Sequence, residues 1–128
     1  PNLGVKTVLI FYVDPDVPDQ NDPFTAELRK SKFPAEKFYG LGIVNLKDTI
    51  YPNSIVRAMV RREMKANNAI ILTDPARLLQ KAWELGDCNN KSVIILIDPQ
   101  RKIRFFKKGA LTGEEITSTI ALIASLVK

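Results

Sequence analysis

Apolar and polar positions along this chain fall into blocks that alternate between strand-like and helix-like periods. Thr7-Val-Leu-Ile-Phe-Tyr-Val13 is an unbroken apolar run rich in β-branched and aromatic residues, the pattern of a central strand covered on both faces. Asp14 to Pro23 then holds three prolines (Pro15, Pro18, Pro23) among acids and amides and reads as loop. At its end Asp22 is placed as an N-cap and Pro23 as the first helical residue, so a helix carrying Phe24 and Leu28 is expected to about Lys32. Phe38 to Leu46 reads as a second apolar strand. Pro52, Asn53 and Ser54 open a helix with Ile55, Val56, Met59 and Val60 on one side and Arg57, Arg61 and Lys65 on the other. Ala69 to Thr73 reads as a third strand, and Asp74-Pro75 repeats the cap-then-proline signal. The helix it opens carries Leu78, Leu79, Ala82, Trp83 and Leu85 and is expected to stop at Gly86.

Val93 to Ile97 is a fourth buried strand, and Asp98-Pro99-Gln100-Arg101 suits a type I turn with proline at its second position. Lys102 to Lys108 alternates imperfectly, as an edge strand paired antiparallel to its predecessor would, and only one of Phe105 and Phe106 can point inward. Thr112 and Glu115 have capping-box spacing before a last helix striped by Ile116, Ile120, Ile123 and Val127. The order predicts an α/β fold: one domain over residues 1–128, with a mixed five-stranded sheet flanked by four helices in three α/β/α layers. No internal repeat or linker interrupts it.

Composition narrows the chemistry. A chain of 128 residues with 45% apolar and 26% charged content can bury a real core, and its longest apolar runs are strand-length, so no membrane span is expected. The net charge of +5 favours anionic partners in general, but the basic residues are spread along the chain. There is no histidine, which removes the commonest general base at neutral pH and His-containing nucleophile pairs and zinc sites. One cysteine, Cys88, allows neither an internal disulfide nor a Cys-x-x-Cys pair, and it does not report the redox compartment. Pro1 in place of an initiator methionine is what removal of a leader or tag would leave.

The element order, with Leu72-Thr73-Asp74-Pro75 and Ile95-Leu96-Ile97-Asp98, resembles the thioredoxin-like fold in its redoxin form. Ile43-Val44-Asn45, Asp48, Ile50, the Trp83-x-Leu85 pair and Gly109-Ala-Leu-Thr-x-Glu-Glu115 together resemble the YtfJ family of exported bacterial proteins. That resemblance runs from Gly4 to Lys128 and implies a thioredoxin-like fold and a periplasmic location. It implies no defined reaction.

The same resemblance places Asp16 and Asp19 near the two redox-cysteine positions and Ser92 at or near the cis-proline position. A carboxylate cannot attack a disulfide, so the dithiol mechanism is absent from this chain. The face that would have held the redox site, Asp14, Asp16, Asp19, Asp22, Cys88 and Ser92, becomes the candidate contact surface by fold analogy. Four aspartates this close together can hold a hard cation, yet the calcium-loop pattern lacks its glycine and has Thr25 in place of the closing glutamate. The plainer expectation is a solvated loop with no metal and no cofactor. Cys88 is the weak candidate for a single-thiol redox enzyme: adjacent Asp87 and a preceding helix C-terminus would both raise its pKa. Arg57, Arg61 and Lys65 on one helix, and Arg101 and Arg104 around the hairpin, form basic surfaces that serve solubility and edge protection better than nucleic-acid binding. The leading expectation is a non-catalytic binding or assembly module for an unknown protein partner.

Overall fold

The structure, a computed structural model, describes residues 4–14, 20–45, 54, 55, 57, 58, 61, 62, 71–74, 81–84 and 91–128. β1 (Thr7–Val13) lies at the centre of a five-stranded sheet of order β3-β2-β1-β4-β5. On one side β2 (Phe38–Asn45) runs parallel to it, followed by parallel β3 (Ile71–Asp74). On the other side β4 (Ser92–Ile97) runs antiparallel, and β5 (Ile103–Lys108) closes the hairpin at the edge. The mixed sheet and the edge position of β5 match the expectation. The described spans are Phe38–Asn45 for β2 and Ile71–Asp74 for β3, the expected Leu46, Ala69 and Ile70 lie outside the described residues, and β4 already includes Ser92.

The unbroken apolar run of β1 is explained by its two covered faces. Val8, Ile10 and Tyr12 pack with Ile43, Val93 and Ile95 on one face, while Leu9 lies on the other with Ile94, Leu96 and Phe24. Two helices are described in full, α1 (Asp22–Ser31) and α2 (Gly113–Leu126), and both cover the Leu9 face. From α1, Phe24 is fully buried and its ring lies 5.9 Å from that of Phe11. From α2, Ile116, Ile120 and Ile123 join the same cluster, followed by Val127 just beyond the helix, so the predicted stripe faces the core. Burying side chains of this size contributes roughly 1.5–3 kcal/mol each. The hydroxyls of Thr7 and Thr119 are buried here without a hydrogen-bond partner among the described residues.

Ser54, Ile55, Arg57, Ala58, Arg61 and Arg62 are helical, as are Lys81 and Ala82. The remainder of those two predicted helices, including Val56, Met59, Val60, Lys65, Leu78, Leu79 and Leu85, lies outside the described residues. One expectation for this region is corrected. Trp83 does not continue a buried helical face: the chain turns at Trp83–Glu84, Glu84 takes a left-handed φ of 53°, and Trp83 is 42% exposed.

The hairpin turn forms as its sequence requires. The Arg101 N–H donates to the Asp98 carbonyl at 2.9 Å, and Asp98 Oδ1 accepts from the N–H groups of Gln100 and Lys102, each at 2.9 Å. Arg104 Nη1 stands 3.4 Å from Asp98 Oδ2. At the start of α2 the capping box is complete: Thr112 Oγ1 accepts from the Glu115 N–H at 3.1 Å, and the Thr112 N–H donates to Glu115 Oε1 at 2.9 Å. Lys107 Nζ, 3.2 Å from the same Glu115 oxygen, ties β5 to that cap.

Candidate functional site

The corner where α1 begins meets the open end of the β4–β5 hairpin. Ser92, the first residue of β4, pairs with Val13 at the end of β1. On its other side the Gly109 N–H donates to the Ser92 carbonyl at 2.8 Å. In a continued antiparallel pair the Ser92 N–H would return a bond to the Gly109 carbonyl. It does not. Ser92 N–H donates instead to Gln20 Oε1 at 2.7 Å, and the Gly109 carbonyl accepts from Asn21 Nδ2 at 3.3 Å. Gly109, with φ +95°, turns the chain away here in a conformation that L side chains rarely adopt. Asn21 Oδ1 also accepts from the buried Leu111 N–H at 2.9 Å. Two neighbouring amides thus close the end of the ladder and fix the connection from β5 to α2.

This latch corrects the assignment of the helix cap. Asn21, not Asp22, is the N-cap of α1, and its side chain makes no cap hydrogen bond. Its amide is committed to Gly109 and Leu111, while its carbonyl starts the helix by accepting from the Thr25 N–H at 3.0 Å. Asp22 falls inside the first turn, exposed, where the positive end of the helix dipole favours a carboxylate.

The candidate contact residues are not all at the surface. Asp14 is fully buried at the end of β1, so the solvated-loop expectation fails for it, and Ser92 is only 3% exposed. Asp16, Asp19 and Cys88 lie outside the described residues. Of the basic positions, Arg57 and Arg61 are exposed and four residues apart on a helical segment, as expected, and Lys65 is not described. Arg101 is exposed, and its guanidinium lies so close to Gly4 that a Cβ there would come within 2.8 Å of Nε. Arg104 is held by Asp98. Sequence reasoning did not single out Gln20 and Asn21. Their only signal was two amides directly before an Asp-Pro helix start.

The corner holds amides, main-chain groups and a buried serine. Among the described residues, the groups joined by these hydrogen bonds orient and seal the corner.

Residues 12–126 match the family described as "Bacterial protein of unknown function (YtfJ_HI0045)". Among curated relatives, the uncharacterized protein YtfJ of Escherichia coli K12 is 25% identical over 115 residues, covering 86% of this chain and 60% of the relative. An uncharacterized protein of Haemophilus influenzae is 25% identical over 112 residues, again covering 86% and 60%. The chain therefore spans about three fifths of the length of these relatives. Among solved structures, a thioredoxin-like superfamily protein superposes with a TM-score of 0.73 at 17% identity, over 98% of this chain and 82% of that one. A thiol-disulfide isomerase from Corynebacterium glutamicum does so with a TM-score of 0.71 at 14% identity, over 99% and 84%. At these identities the likeness is one of fold, and the fold is thioredoxin-like.

Proposed function

Because the chain belongs to this YtfJ family of bacterial proteins, whose function is unknown, we propose that it is a non-catalytic thioredoxin-fold module that binds or assembles a protein partner in the periplasm. The observation that carries the reading is the latch at the α1–β4 corner. Where the resemblance to redoxins places the element opposite the redox motif, the Ser92 N–H is taken up by Gln20, and the adjoining ladder end is closed by Asn21. A chain with one cysteine cannot run a dithiol cycle within itself. The corner serves as a rigid frame, and the exposed start of α1, at Asp22, belongs to its contact surface. The thiol-disulfide isomerase among the solved structures shares the fold alone with this chain, and its chemistry is not carried over.

The test is the rate of Cys88 alkylation against pH in the folded protein. An apparent pKa at or above the free-thiol value of about 8.5 is expected, together with unchanged partner binding by Cys88→Ser. An apparent value near 6, within the roughly 3.5–7.5 range of activated thiols, with disulfide-exchange activity lost in Cys88→Ser, would replace this reading with single-thiol redox chemistry.

A further inference from the structure

The β4–β5 hairpin carries a bulge whose effect is felt at the sheet edge. Ile97 pairs with Ile103 and Leu96 with Phe105, so Arg104 is the extra residue of β5. Residues 103 and 106 of a regular strand would point to opposite faces. The bulge brings them to one face, because Ile103 stands opposite Ile97 and Phe106 opposite Ile95, both of which belong to the Tyr12 face of the sheet. Phe105 turns to the other face and packs in the core with Leu96. The edge therefore presents an apolar pair, Ile103 at 63% and Phe106 at 46% exposure.

The main chain of the same strand faces outward. Gly109 and Ser92 are hydrogen-bonded across the ladder, and in antiparallel pairs bonded and non-bonded positions alternate. Counting back along the register puts Phe106, opposite Ile95, at a non-bonded position, with its N–H and C=O directed away from β4. No described strand lies beyond β5. From Arg101 to Lys108 the sequence has five basic residues and no acid; Arg104 and Lys107 are paired with Asp98 and Glu115, while Arg101 and Lys102 are exposed.

We propose that the outer edge of β5 is a strand-addition site for an extended acidic segment of a partner protein, apolar at alternate positions. Main-chain bonds to Phe106 would supply the pairing, and the bulge-aligned Ile103 and Phe106 would receive the partner's apolar side chains. Charge complementarity selects acidic residues between them. A second copy of this chain fits poorly, since edge-to-edge pairing would set one basic row against another. Nucleic acid fits poorly too: Phe105 is turned into the core, which leaves Phe106 without the second aromatic of a stacking platform. This surface is separate from the α1–β4 corner, and the proposal stands or falls independently of the thiol measurement above.

The experiment is a titration of the ¹⁵N-labelled protein with a short capped peptide alternating glutamate and valine, read by amide shifts and by hydrogen exchange. Saturable binding is expected, with shifts confined to Ile103–Lys108 and neighbouring β4 and with slowed exchange at the Phe106 amide. Ile103→Gln should weaken binding roughly tenfold, the scale of losing an apolar anchor at an interface. Phe106→Pro removes the outward N–H while leaving the bonds to β4 in place and should weaken it at least as much. Ile103→Gln still decides the matter if the proline variant fails to fold. The proposal is overturned by absent saturation, by equal binding of a lysine–valine peptide, or by shifts mapping elsewhere. It is overturned equally if oligothymidylate, anionic vesicles or self-association occupies the β5 edge and the acidic peptide does not.

Discussion

Asn21→Ala tests the latch most directly. The side chain is 6% exposed and serves two partners on the β5–α2 connection. Truncation leaves the buried Leu111 N–H without an acceptor, and water has little access to replace it. An unsatisfied buried donor costs about 1–3 kcal/mol. The 3.3 Å bond to the Gly109 carbonyl adds less, since that carbonyl stands nearer the surface. The expected loss is about 2–3 kcal/mol, or roughly 6–12 °C in Tm for a domain of this size, measured by urea and thermal denaturation. Asn21→Asp sharpens the test. Its carboxylate can still accept from Leu111, but its second oxygen then faces the Gly109 carbonyl, and both burial and repulsion favour the protonated form. The folded pKa of that carboxyl is therefore raised above its unfolded value. Its deficit relative to the parent should be largest at neutral pH and shrink as pH falls through that raised pKa. A parent-like Asn21→Ala protein, within about 0.5 kcal/mol, would refute the argument. So would a pH-independent deficit in Asn21→Asp.

Three further outcomes are expected. Thr119→Val removes a buried hydroxyl that has no partner among the described residues and should raise stability by about 1 kcal/mol in urea titrations; a loss of that size would mean the hydroxyl is satisfied. Thr112→Ala removes one half of the capping box and should cost about 1 kcal/mol, with helicity by circular dichroism otherwise unchanged. Acid should destabilise the hairpin and the α2 cap. The Lys102 N–H, aided by Arg104 and the Gln100 N–H, holds the Asp98 carboxyl below its ordinary 3.8, and the Thr112 N–H with Lys107 holds Glu115 below 4.5. Folded carboxyls lowered in this way stabilise fully above the unfolded values and lose their contribution as pH falls toward the folded ones. The urea midpoint should therefore drop below about pH 4.5, and Asp98→Asn should flatten part of that decline.

The sequence was most informative where structure is local or periodic. The continuous run of β1, the Asp98 turn, the Thr112–Glu115 box and the stripe of α2 each depend on residues within a few positions of one another. The inward turn of just one Phe in β5 followed from alternation alone. The imperfect alternation of Lys102–Lys108 was the trace of the Arg104 bulge, but a bulge depends on the partner strand's register, which one strand cannot reveal. Gln20 and Asn21 looked like loop amides because their partners lie 72 to 90 residues away. Asp22 looked like the cap because the Asp-Pro pattern is a strong local signal, and a long-range bond on its neighbour overrode it. Asp14 was grouped with its acidic neighbours, although it sits at the end of a strand buried on both faces.

The latch also bears on the order in which the chain acquires its structure. The bonds that seat α1 join positions 72, 88 and 90 residues apart, and β1 cannot fill its place in the sheet until β4 arrives from the C-terminal third. Non-local closures of this kind must overcome loop entropy before they contribute, which slows folding. An emerging polypeptide that has not yet delivered Ser92 to Leu111 leaves one side of β1 unpaired and the first turn of α1 untied. The N-terminal half is therefore not an autonomous folding unit. A chain cut ahead of Ser92 should be degraded rapidly, and adding back the missing hairpin and last helix as a separate fragment should restore protease resistance.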